Sequence, residues 1–266
     1  MFWRQNPGGD SLSYSARISA VISVHNEEHQ LADCLSTLAF ADEIVVLLDK
    51  CTDGSEAIAR RFSARIVYGD WPTEGDRRNT GIEVCGGEWV FEIDADERVS
   101  EALASEIREV TDTTRHDWHE IPVDNFVGKR LVYWGWGASF GKAAYPGLFK
   151  KGVKVWGGQR VHPSLTWSGQ KGPMLRERLI HYVDRDLSDM LKRLNSYSTA
   201  RAMDLRDSGD IGSTANNVRR FFSRFIKCFV MRQGYREGGF GLMIAICAGL
   251  YPLISHLKAK LEQEAE

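Results

Sequence analysis

The 266-residue sequence lacks several familiar signatures. No G-x-G-x-x-G follows a strand-like run, which excludes the usual dinucleotide-binding turn. The first apolar run leads into His25-Asn26-Glu27-Glu28, not a glycine-rich basic loop, which argues against a nucleotidyltransferase-type phosphate cradle. The five cysteines, Cys34, Cys51, Cys85, Cys228 and Cys247, form no C-x-x-C pair, so neither a zinc site nor a disulfide framework is indicated. Basic excess is also missing: the formal net charge of −2 predicts no nucleic-acid partner, since tracking phosphates needs a strongly positive face. The stretch 1–17 is polar, has no apolar segment typical of a secretory signal, and predicts a chain that stays in the cytoplasm.

What is present is alternation. Ile18 to Val24 reads as a buried strand, and Leu31, Cys34, Leu35 and Leu38 mark one face of a helix reaching about Ala39. Glu43 to Leu48 is a second strand ending at Asp49, with Asp53 placed to cap a helix that runs to about Phe62. Ala64 to Tyr68 is a third strand, Arg77 to Cys85 a helix, and Trp89 to Ile93 a fourth strand ending at Asp94. This order predicts an α/β fold with a mostly parallel sheet, whose ligands bind beyond the carboxyl ends of the strands.

From His119 to Tyr182 the pattern becomes irregular β structure rich in tryptophan, and Asp186 is placed to cap a long helix through Leu205. The resulting division is 17–185 for one α/β unit, with halves 17–110 and 111–185, then a helical C-terminal extension over 186–266.

The sharpest chemical signal is Asp94-Ala95-Asp96-Glu97 at the end of the fourth strand. Period-two alternation points Asp94 and Asp96 the same way. Adjacent carboxylates repel unless a cation intervenes, and hard oxygen ligands suit Mg²⁺ or Mn²⁺ shared with a diphosphate.

Together, His25-Asn26-Glu27-Glu28, Asp49, Thr52-Asp53-Gly54-Ser55, Arg78-Asn79, Gly87-Glu88-Trp89-Val90 and Asp94-Ala95-Asp96-Glu97 resemble family 2 glycosyltransferases. The likeness is strongest to short bacterial enzymes of the lipopolysaccharide core β-glucosyltransferase kind, and extends through Gly135-Trp136, Val161-His162 and His181-Tyr182. The resemblance implies a GT-A fold, Mg²⁺ or Mn²⁺, and inverting transfer of a hexose from a nucleotide sugar, UDP-linked by expectation, to a cell-envelope glycan or glycolipid.

It also implies roles. Asn26, Glu27 and Asp49 border the nucleoside, Arg78 approaches the diphosphate, Asp94 supports the nucleotide and Asp96 holds the metal. Many relatives carry glutamate after the histidine matching His162, where this chain has Pro163, so the base is sought among His162, Asp124 and Glu120. Trp134 and Trp136, in a glycine-rich loop, are expected to contact the acceptor. A relative that binds nucleotide sugar or glycan without turnover is the competing reading.

Between Asn216 and Phe240, basic residues and phenylalanines interleave, and Gly238 to Leu257 carries no formal charge. These features predict peripheral or monotopic attachment to the inner face of the cytoplasmic membrane, with a buried core helix as the alternative for 238–257.

Overall fold

A computed structural model describes residues 17–137, 140–160 and 163–262. Strand β1 (Ile18–Val24) is buried at all but one position, as expected for a central strand covered on both faces. It pairs in parallel with β2 (Glu43–Asp49) on one side and β4 (Trp89–Asp94) on the other, while β3 (Arg65–Gly69) adds to β2. Helices α1 (Glu28–Ser36), α2 (Ser55–Arg61) and α3 (Glu74–Val84) make the crossovers. Helix α3 begins earlier than the sequence suggests, because the Thr73 side chain accepts from the Asp76 backbone N–H and caps it.

Chain order reverses beside β1: β2 and β3 build outward on one flank, then β4 returns to the other. A crevice therefore opens beyond the carboxyl ends of β1 and β4, where Ser23 stands in register with Asp94. Beyond β4 come β5 (Glu97–Arg98), α4 (Glu101–Thr113), β6 (Trp118–Val127), β7 (Arg130–Val132), β8 (Ala144–Lys150), β9 (Lys154–Trp156), β10 (Leu165–Trp167) and β11 (Leu179–Asp184).

The region expected to be irregular largely extends the sheet, in the order β3-β2-β1-β4-β8-β6-β11-β5. Strand β8 runs antiparallel between β4 and β6, β11 is parallel to β6, and β5 is antiparallel to β11. Its tryptophans are packing groups: Trp167 stacks on Trp118 with ring centroids 4.2 Å apart, and Trp156 lies against two core clusters.

Asp186 caps α5 (Leu187–Asp207) by accepting from the Asp189 N–H, as expected. Helix α6 (Thr214–Ile226) passes through a π-turn (Lys227–Met231) and a 3-10 turn (Gly234–Glu237) into α7 (Gly239–Leu261). Helix α7 packs against both α5 and α6, and Gly249 allows the approach: a Cβ there would lie 2.8 Å from the Phe221 carbonyl oxygen. Ile244, Ala248 and Tyr251 of α7 share a core with Met190 and Leu194 of α5 and with Val132 and Trp136.

Candidate functional site

Period-two alternation on β4 places Glu92 and Asp94 on one face, opposite the core residues Phe91 and Ile93. Arg78 of α3 reaches across both: one guanidinium nitrogen donates to Glu92 at 2.8 Å, another to Asp94 at 2.8 Å, and Nε donates to Glu74 at 2.8 Å. Lys142 closes the other side, 3.2 Å from Asp94 and 2.6 Å from Glu97. Burial alone would raise the Asp94 pKa, but Arg78 and Lys142 outweigh it and hold the carboxyl well below the usual range. Asp94 is therefore a fixed anion with both oxygens occupied.

Asp96 differs. One carboxylate oxygen is buried without a partner, and the other faces His181 Nε2 at 3.4 Å. The histidine's orientation follows from its neighbours. Asn125 donates its amide N–H to the Lys142 carbonyl at 2.8 Å, so its oxygen faces His181 Nδ1, also at 2.8 Å. That oxygen only accepts, so Nδ1 carries a proton and Nε2 is the ring atom turned toward Asp96. A buried carboxylate oxygen without a partner, beside a ring nitrogen able to act as a ligand, leaves a position for a cation. Around them Arg78, Lys142 and Lys154 pair with Glu74, Glu92, Asp94 and Glu97, so Asp96 is the carboxylate left without a cationic side chain. Asp96 and His181 thus fit a divalent cation completed by ligand oxygens, although the described residues hold no preformed cluster of three or more His, Cys, Asp or Glu ligands.

These groups floor a cleft of about 520 Å³, walled by Glu27, Arg77, Tyr145, Trp156, Arg193 and Tyr197. Glu27 is pushed up to about 7, first by burial and then by the Asp96 and Asp94 charges. Above β1 and β2 the polar chain ends brace one another. Asn26, in a left-handed conformation at φ 57°, accepts from the Thr52 N–H at 2.8 Å, while the Asp49 carbonyl binds His25 Nδ1 at 2.6 Å. Asp53 accepts from the N–H groups of both Ser55 and Glu28, bridging the starts of α2 and α1. Asp49 takes a 3.0 Å bond from Arg77, leaving its other oxygen and Arg77 Nε buried and unpartnered.

The sequence-predicted residues divide between the cleft and places away from it. Arg78, expected at a diphosphate, lines the cleft while directing its nitrogens at carboxylates, Asp94 among them; Arg77 is the arginine beside Asp49. Asp124 neighbours Asn125 on β6, so alternation turns it to the opposite face from His181, where it pairs with Arg178. Glu120 pairs with Lys171 at 2.8 Å and does not line the cleft. Trp136 is a core residue, 4% exposed, with Nε1 donating to the Val132 carbonyl at 2.5 Å. Trp134 lies under Arg236 against Tyr133, also outside the cleft lining. His162 lies outside the described residues.

Glu92, Lys142, Asn125 and His181 are site residues that the sequence reading did not assign. Glu92 was accessible in principle, since Glu92, Asp94 and Asp96 repeat at every second position. The others come from β6, β11 and the segment before β8, whose pairings no local pattern announces.

The description "Glycosyl transferase family 2" matches residues 19–134. A lipopolysaccharide core biosynthesis glycosyltransferase, LpsC of Rhizobium meliloti, is 26% identical over 254 residues, covering 91% of each chain. An uncharacterized glycosyltransferase of Rickettsia conorii is 25% identical over 250 residues, covering 88% of this chain and 86% of its own. Among solved structures, glucosyl-3-phosphoglycerate synthase from Mycobacterium tuberculosis, with Mn²⁺, UDP and glucosyl-3-phosphoglycerate, aligns over 47% of this chain and 51% of its own, at TM-score 0.37 and 20% identity. Staphylococcus aureus TarS aligns over 94% and 93%, at TM-score 0.48 and 11% identity. With the strand-end carboxylates in the crevice beside β1, the match to family 2 over residues 19–134 and glycosyltransferase relatives aligned over most of the chain, the protein is a glycosyltransferase similar to family 2, with the α/β GT-A architecture and a helical C-terminal region.

Proposed function

We propose that the enzyme transfers a hexose with inversion from a nucleotide sugar, UDP-linked, to a hydroxyl of a cell-envelope glycolipid such as lipopolysaccharide core. The acceptor class rests on likeness to the Rhizobium relative, whose name places it in lipopolysaccharide core biosynthesis. The donor reading rests on one observation above all: Asp96 keeps a buried carboxylate oxygen unpartnered beside His181 Nε2, at the floor of the cleft.

Asp96 and His181 would hold Mg²⁺ or Mn²⁺, which when bound supplies Lewis-acid stabilisation of charge on the departing nucleoside diphosphate. Asn125 fixes the histidine ring, and Arg78 with Lys142 keep Asp94 ionised and in place. Asn26, Glu27 and Asp49 border the nucleoside, where the unpartnered Asp49 oxygen and Arg77 Nε offer one acceptor and one donor. His162 is the proposed base for the acceptor proton, supported by the neighbouring Arg160 and Pro163, which line the cleft.

The test is sugar transfer and donor hydrolysis across a panel of nucleotide sugars, with Mn²⁺ or EDTA, for the parent and Asp96→Ala. Loss of the Lewis acid removes several kcal/mol of leaving-group stabilisation, so turnover should fall about a thousandfold in both cases. Turnover that survives both changes refutes the metal-assisted reading. Metal-dependent binding of a donor without transfer or hydrolysis identifies a binding protein.

A further inference from the structure

The inner face of α6 and its π-turn is consumed by packing: Asn217 of the helix and Cys228 of the turn are buried, and Gly249 of α7 approaches the Phe221 backbone. Its outer face is also apolar. Val218, Phe222 and Ile226 recur at the four-residue spacing that stacks side chains along one helix face, and are 40%, 58% and 51% exposed. The π-turn continues the exposed apolar surface with Val230 and Met231, the latter 72% exposed, and Tyr235 follows at 52%. An apolar ridge of this kind, open to water on an otherwise packed helix, marks an interaction surface.

Charge identifies the partner. From Thr214 to Arg236 the sequence carries Arg219, Arg220, Arg224, Lys227, Arg232 and Arg236 and no acidic residue. Arg219, Arg220 and Lys227 are exposed beside the apolar ridge. A two-fold pairing of this face with a second copy would set the basic rows against each other. An anionic bilayer satisfies both features, taking the apolar side chains below the headgroups and the cations among them.

Helix α7 is the one helix among the described residues long and apolar enough to cross a membrane, yet 56% of its apolar window is buried inside the protein. Ile244, Ala245, Cys247 and Ala248 there are fully buried. It serves as the core against which α6 rests.

We infer that the outer face of α6 and its π-turn form an in-plane docking surface for an anionic phospholipid bilayer, while α7 remains inside the fold. This inference is independent of the donor and metal assignments.

The full chain should co-sediment with phosphatidylglycerol vesicles and far less with phosphatidylcholine vesicles. Replacing the ridge by Phe222→Ser, Ile226→Ser and Met231→Ser should lower partitioning at least about tenfold. Arg219→Gln and Lys227→Gln should each lower it roughly fivefold. Met203→Ser, at an exposed apolar position on α5, should leave it unchanged. Circular dichroism and the thermal midpoint establish that each variant is folded. Equal retention of the folded ridge variant, or indifference to lipid charge, overturns the inference. So does a dimer in light scattering that the ridge substitutions dissolve while the parent ignores both vesicles.

Discussion

The two sides of the cleft are held by different means. Where β1 and β2 end, neighbouring turns exchange hydrogen bonds between side chains and backbone: Asn26 with Thr52, Asp53 with Glu28 and Ser55, Glu28 with Gly54. Facing them, β4, β8, β9 and β11 bury charge. Glu92 is 3% exposed and bound by Arg78 and by Lys154, itself 2% exposed, at 2.6 Å, with Tyr145 and Trp156 around them. The first arrangement shapes a pocket from short, largely exposed contacts. The second places fixed charges in a poorly solvated wall, where each depends on its partner. Asp96 sits between them with an oxygen left over.

The largest expected effect separates packing from recognition. Trp136→Ala should destabilise the protein by about 3–5 kcal/mol, because it empties the junction between the sheet and the helices. Trp134→Ala, at a partly exposed ring, should cost much less. Denaturant unfolding of both variants checks this, and equal costs would contradict the core assignment of Trp136.

Next, Lys154→Met should destabilise by about 3 kcal/mol, since Glu92 loses one of its buried partners. Adding Glu92→Gln should restore part of that loss. A double-mutant cycle without coupling would show that the buried wall does not act as a network.

These contrasts explain what the sequence could disclose. Strands β1 to β4 and the cap at Asp186 were legible because their signals lie within a few residues: β-branched runs, helical spacing, a polar residue at a helix start; Asp53, expected as a cap, instead precedes the Gly54 N-cap and ties α2 to α1. Asp94 and Asp96 followed from their place at a strand end. The buried wall was not legible, because Lys142 and His181 reach Asp94 and Asp96 only once β8, β6 and β11 have paired in that order. Asp124 shows the limit well: it was chosen as a carboxylate in the right region, yet alternation on β6 gives the cleft Asn125 and turns Asp124 away. For 238–257 the sequence offered a buried core helix only as an alternative, and packing shows that Gly249 of α7 receives α6.

A smaller effect is expected at Asp124. Asp124→Asn should cost below about 1 kcal/mol, because its pair with Arg178 is partly exposed, and should leave kcat within about twofold. Asn125→Asp should disturb metal dependence, since a carboxylate cannot donate to the Lys142 carbonyl and loses the bond that orients this side chain toward Nδ1. A large kcat loss for Asp124→Asn would return that residue to the chemistry.

The smallest effect concerns pH. Glu27 holds its proton more tightly when folded, its pKa pushed from 4.5 up to about 7, first by burial and then by Asp96 and Asp94. Its contribution to stability is present below the lower value and is lost as pH rises through the upper one. The metal-free parent should therefore lose more thermal stability than Glu27→Gln between about pH 5 and about pH 8. Identical pH profiles would place Glu27 outside the acidic cluster.

The most direct test of the central claim, that Asp96 and His181 form the cation site for the donor, is calorimetric titration of UDP and UDP-sugars with and without Mn²⁺. The parent should bind tightly only with the metal, and Asp96→Ala and His181→Gln should each abolish the metal-dependent part while remaining folded. Donor binding that ignores Mn²⁺, or that survives both substitutions unchanged, would contradict it.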